Sequence, residues 1–174
     1  MTSATDRRPA EERFREVFAQ LGAVTAYARR RGSRDADGIA AETMSIAWRR
    51  LADVPRDDPL PWLYATARNL LHAEWRAEKH TAPSEVPELS VPASELRGLD
   101  PELDRALRSL RPADREALLL VAWEVLEPTQ AARAVGIKPT AFRVRLLRAR
   151  RRLRAALEED RRPARLVQID VEGT

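Results

Sequence analysis

The stretch PTQAARAVGIKPTAFRVRLLRARRRLR, residues 128–154, decides the fold of this chain. It reads as a short helix, a tight turn and a long basic helix. Thr129 is placed to cap the first helix, whose inward positions are Ala131, Ala132 and Val135. Gly136 follows the last apolar residue, where helices commonly end at positive φ. Pro139 stands where a second helix can begin without losing a needed N–H donor. The small side chains of Ala131 and Ala132 let two helices approach closely, which predicts a helix-turn-helix whose second helix enters the DNA major groove. On that second helix Phe142, Leu146, Ala149 and Leu153 recur at helical spacing and face a core. Arg143, Arg145, Arg148, Arg150, Arg151, Arg152 and Arg154 fill most of the remainder, with no acid among them.

Working outward, the charge is meaningful by position rather than by total. The 174 residues carry a net charge of only +4, and Lys79 and Lys138 are the sole lysines. Arginine and alanine enrichment explains much of the arginine count but not its clustering after Lys138. There is no cysteine, which excludes disulfides, thiolate zinc sites and thiol catalysis. His72 and His80, with Glu74 and Glu78 nearby, lie about two helical turns apart, too far to share one ion unaided, so no metal or cofactor is expected. No phosphate-cradling glycine loop and no nucleophile motif is present, which argues against an enzyme. Neither a signal peptide at the N-terminus nor an apolar run of membrane-spanning length is seen, and a cytoplasmic location is expected.

Upstream, one helix is expected over about Ala10–Arg31, with Phe14, Val17, Phe18, Leu21, Val24 and Ala28 on a single face. A second covers Asp37–Leu51, with Ile39, Thr43, Ile46 and Ala47 inward. A proline-punctuated loop over 53–61 leads, with Asp58 before Pro59 as a start signal, into a third helix of about Leu60–Lys79. Its apolar positions are Trp62, Leu63, Thr66, Ala67, Leu70 and Trp75. Residues 81–100 are proline-bearing and acidic, a stiffened linker. Helices resume at Pro101–Leu110 and from Pro112 to about Leu126, the latter with Ala117, Leu118, Val121 and Val125 inward. The expected architecture is all-α. Two small helical domains (10–80 and 101–160) flank the linker, the second domain is a helix-turn-helix, and a tail (161–174) follows. Trp48, Trp75 and Trp123 are core by default, and Trp62 is either core, which we favour, or a stacking partner for a base.

These residues together resemble a bacterial RNA polymerase sigma factor of the extracytoplasmic-function (ECF) type, in the sigma-70 family. The resemblance covers about Phe14–Leu157. LRPADREALLL (110–120) and AARAVGIKPTAFRVRLLRAR (131–150) resemble region 4; DADGIAAETMSIAW (35–48) resembles region 2.2; WLYATARNLL (62–71) resembles regions 2.3 and 2.4. It implies a promoter-reading subunit without chemistry of its own. Region 4 would read the −35 element through Thr129, Gln130, Lys138, Thr140, Arg143, Arg145, Leu147, Arg148 and Arg151. Arg143 and Arg148 are best placed for base edges, because a guanidinium fork matches guanine O6 and N7. Thr129 and Gln130 would offer backbone N–H groups to a phosphate. Region 2 would engage the −10 element through Trp62, Arg68 and Asn69, with the 53–61 loop walling a pocket for an extruded base.

Asp35, Asp37, Glu42 and Trp48 would contact core polymerase. The implied partners are core RNA polymerase (β′ clamp helices and β flap), promoter DNA and an anti-sigma factor. The acids of region 2.2 are thinned, since Gly38 follows Asp37 and Ala41 precedes Glu42. That departure keeps open a helix-turn-helix regulator, or a decoy for an anti-sigma factor, that no longer engages polymerase.

Overall fold

The computed structural model describes residues 4–81 and 100–160, all-α, with no strand among them. The expected linker and tail lie almost wholly outside the described residues. The elements are α1 (Ala4–Phe18), α2 (Leu21–Arg30), α3 (Ala36–Arg49), α4 (Leu60–Thr81), α5 (Pro101–Ser109), α6 (Pro112–Ala122), α7 (Pro128–Ala134) and α8 (Pro139–Asp160).

The first half packs α2 on α3, both on α4, and α1 on α3. The expected single opening helix is two. Gln20 takes φ −86°, ψ 1°, and its N–H bonds back only three residues to Val17, so the helical phase slips there. The slip buries Val17 and Val24 but leaves Phe18 exposed. Asp35 caps α3 by accepting from the Gly38 N–H at 2.8 Å, which satisfies one of the donors a helix start leaves unpaired. Thr43 and Ala47 are buried as expected, joined by Ala40 and Met44. Trp48 is not core: it is 43% exposed and meets the Phe14 ring edge-on at 5.0 Å. One residue beyond the buried Ala47, it points off the buried stripe, and helical position outranks side-chain apolarity. Trp62, Trp75 and Trp123 are partly buried against the core.

In the second half α8 packs on α5, α6 and α7. Phe142, Leu146 and Ala149 are buried, as are Ala131 and Ala132, so the periodicity read from the sequence holds. Gly136 adopts φ +70° and closes the turn, with the Ile137 N–H bonded to the Ala132 carbonyl at 3.0 Å. The cap of α7 is Glu127 rather than Thr129. Pro128 takes the first helical position, and Glu127 and Gln130 form a reciprocal capping box in which the Glu127 N–H reaches Gln130 Oε1 at 2.7 Å. Arg115, buried, donates to the carbonyls of Leu107, Arg108 and Leu110 at 2.8–3.1 Å, satisfying acceptors left open at the end of α5.

Helix α6 ends four residues earlier than expected, and Val125 is outside it, 80% exposed and at φ +54°. Val125 lies two residues past the Trp123 C-cap, in the left-handed region that favours glycine, and the Leu126 N–H beyond it reaches back six residues to the Leu120 carbonyl at 3.1 Å. A β-branched residue in this left-handed region is strained by about 1–2 kcal/mol. Val125→Gly is therefore expected to stabilise the chain by about 1 kcal/mol, since little packing is lost. A rise in the urea midpoint at unchanged m-value checks it.

Candidate nucleic-acid interface and the seam beside it

Helix α8 is amphipathic by charge. Its buried stripe is Phe142, Leu146 and Ala149, with Leu153 half-buried. Exposed around the rest are Lys138, Thr140, Arg143, Val144, Leu147, Arg148, Arg150, Arg151 and Arg154. Arg145 is half-buried and lines, with Arg111, Arg148 and Arg152, an open cleft of about 650 Å³ between the start of α6 and the start of α8. Arg152 forms an ion pair with Asp114 of α6, which ties the middle of α8 to its neighbour. No acid occurs from Lys138 to Ala156, so the positive field of this face is offset only in part, by Asp114 of α6 at the cleft. The arrangement is a rigid basic helix presented on a packed three-helix support, suited to a polyanion with a groove.

Not every expected site residue joins this face. Gln130 is drawn to the other half of the chain: its Nε2 donates to Asp58 Oδ2 at 2.9 Å, and Arg133 lies 3.9 Å from the same carboxylate. The capping box also gives the Gln130 N–H the Glu127 carboxylate as an acceptor. The anion-binding capacity expected of Thr129 and Gln130 is thus partly met within the protein.

In the first half Asn69 is exposed and Trp62 half-buried, with the Arg50 guanidinium 5.9 Å from its ring centre. Arg68, expected against DNA, has a partner within the protein. Its guanidinium forks onto Glu116 of α6, at 2.8 and 3.2 Å. Glu116 is almost fully buried, and a buried carboxylate demands a partner more strongly than solvent demands an arginine. Of the acids assigned to core polymerase, Asp35 serves as a helix cap, Glu42 pairs with Arg49 at 2.9 Å, and Asp37 lies 3.8 Å from Arg29; all three are exposed.

The seam between the halves is the feature sequence reasoning missed. Helix α4 packs on α7. Glu124, buried just past α6, receives Arg31 Nη1 at 3.0 Å and is paired with Arg30. Arg31 is only 5% exposed and stacks over the Tyr27 ring at 3.5 Å, while Tyr27 stacks on Tyr64 at 4.5 Å. Burial pushes the Tyr27 hydroxyl up to about 12, the nearby Arg31 pulling it back in part. Burial raises Tyr64 as well, helped by the Glu124 charge. His72, at the edge of a cavity of about 20 Å³ lined from both halves, is lowered by burial and by the Arg68 charge. The only sequence signal for the seam is the pair of glutamates flanking the apolar run 117–123, acids that need cations once that run is buried.

Comparison with known proteins agrees with this geometry. Residues 101–153 match the family described as sigma-70, region 4. "Probable RNA polymerase sigma factor RfaY" of Xanthomonas campestris pv. campestris is 34% identical over 134 residues, 70% of this chain and 34% of that protein. The chain therefore spans about a third of the length of that relative. Among solved structures, CnrH in complex with the cytosolic domain of CnrY is 26% identical with a TM-score of 0.59, covering 84% of this chain and 88% of that one. The sigma factor RpoE bound to the anti-sigma factor NepR, from Bartonella quintana, shares the fold at 24% identity and a TM-score of 0.58, covering 84% and 97% of the two chains. The PhyRSL–NepR complex from Sphingomonas sp. Fr1 does so at 21% and 0.57, covering 92% and 94%. The packed helix-turn-helix of residues 101–153 is a sigma-70 region 4 domain, and the chain is a homologue of RNA polymerase sigma factors.

Proposed function

We propose that this chain is a sigma factor that binds core RNA polymerase and directs promoter-specific initiation, performing no covalent chemistry itself. The observation that carries the reading is the acid-free arginine face of α8, held outward by the buried Phe142, Leu146 and Ala149. That face enters the major groove of a −35 element. Arg143 and Arg148 meet base edges, while Lys138, Thr140, Arg145 and Arg151 meet phosphates, which fix register and give steep salt dependence. Thr129 adds a backbone contact to phosphate at the start of α7.

The −10 element is engaged by Asn69 and Trp62 as the chain stands, and by Arg68 once it leaves Glu116. The exposed acids Asp35, Asp37 and Glu42, with Trp48, meet the β′ clamp helices, and the region 4 domain meets the β flap. All three of the similar solved structures described above hold a second protein, NepR being named as an anti-sigma factor in the complex with RpoE, and an anti-sigma factor is proposed as a partner here also.

Run-off transcription with purified core polymerase on genomic fragments tests the reading. Added chain should yield discrete starts from particular fragments; co-purification without any start, on every fragment offered, rejects it. Arg148→Ala is expected to weaken −35 duplex binding by about 1–3 kcal/mol and to relax preference at one base pair. Affinity measured across a set of single-base variants checks this, and a uniform loss would reassign Arg148 to phosphate.

The seam favours a second reading. Because Arg68 and Gln130 are both spent on contacts between the halves, a helix-turn-helix regulator or an anti-sigma decoy that stays closed also fits. It predicts sequence-specific or partner binding without co-purification of core polymerase.

A further inference from the structure

The outermost line of α8 is not all arginine. Thr140, Val144, Leu147 and Arg151 are spaced four, three and four residues apart. This repeats the spacing of the buried Phe142, Leu146, Ala149 and Leu153, displaced by two residues. Two residues are about 200° of helical turn, so this line lies opposite the core. Its centre is apolar: Val144 is 47% exposed and Leu147 52% exposed, among the few large hydrophobic side chains that reach solvent in the described residues. Exposed arginines fence them on both flanks, Arg143 and Arg150 on one side and Arg148 on the other. Valine and leucine at the crest of a basic helix gain nothing from water and make no contact with phosphate. A helix lying in a major groove brings its crest nearest the groove floor, where short side chains touch base edges, while long arginines on its flanks extend to base edges or to the backbones. The one apolar group that the major groove displays is the C5-methyl of thymine.

We infer that Val144 and Leu147 are specificity-determining residues that read thymine methyl groups at the floor of the groove. The inference rests on the reading of α8 as the groove-bound helix, and it adds thymines beside the guanines selected by Arg143 and Arg148. The occupant is duplex DNA rather than a protein, because the ring of arginines with no intervening acid matches two rows of phosphates.

The full chain is used to select tight duplexes from a random pool, and each thymine of the selected sequence is then replaced singly by uracil. That exchange deletes one methyl and leaves base pairing intact. At one or two thymines, affinity should fall about fourfold, the worth of one buried methylene group. Val144→Ala and Leu147→Ala should each abolish that penalty at one of these positions. Both residues are exposed, so neither change disturbs the fold, and the uracil series needs no variant at all.

A selected sequence without thymine would overturn the inference while leaving the proposed function standing. So would indifference to uracil at every position, or variants that keep the full penalty. Variants that lose core polymerase instead of the uracil penalty would also overturn it, marking a protein-docking crest. A pool from which nothing is enriched would sink the DNA-reading function itself.

Discussion

Glu124→Ala is expected to cost about 3–5 kcal/mol, because it leaves a buried arginine without its counter-charge. Arg31 is the residue stranded: it is 5% exposed, and its Nη1 bonds Glu124 and the Tyr27 carbonyl. Arg30, about a third exposed, can turn to water and loses less. The cost falls on the contact between the halves, since Arg30 and Arg31 end α2 while Glu124 follows α6. Two measurements check it. The urea midpoint should drop, and the halves should move apart. The absence of native cysteine makes the second simple: Ala41→Cys and Ala155→Cys introduce a label pair on exposed positions of α3 and α8. Energy transfer between the labels should fall in the Glu124→Ala background. Replacing both partners, Arg31→Met with Glu124→Leu, should recover most of the loss, because a well-packed apolar pair rivals a buried ion pair. If single and double variants are equally destabilised, the seam is held by shape and not by this charge pair.

Phe142→Ala should cost a similar amount, about 3–5 kcal/mol, by a different route. The ring is fully buried where α8 meets its support, so its removal leaves a cavity in that core. No charge on the outer face of α8 changes. Calorimetry should show a lower Tm, and DNA affinity should fall with temperature in step with unfolding rather than uniformly. A variant with an unchanged Tm but weakened binding would mean that Phe142 acts on DNA directly, against its burial.

What could be read from the residues, and what could not, divides along sequence separation. The turn at Gly136, the start at Pro139 and the buried stripe of α8 all follow from patterns within a few residues, and the structure repeats them. The break at Gln20 was hidden because the nearest weakening residue, Gly22, falls two residues later inside α2 and does not mark the break itself. Val125 was hidden because glycine, not valine, announces a left-handed helix end. The ties Arg68–Glu116, 48 residues apart, and Arg31–Glu124, 93 apart, have no local signature. An arginine that reads as a DNA contact in isolation is indistinguishable from one that neutralises a distant carboxylate. The basic face was therefore legible as a surface, while the conformation that contains it was not.

Ionic strength acts unequally on the two kinds of contact this chain makes. Glu116 and Glu124 sit shielded from solvent, so dissolved ions screen their ties to arginine only weakly. The outer arginines of α8 stand in water, where added salt competes directly for the phosphates they would hold. Osmotic shock or desiccation, by concentrating ions around the molecule, would loosen its hold on a duplex long before it loosened the clasp between Arg31 and Glu124.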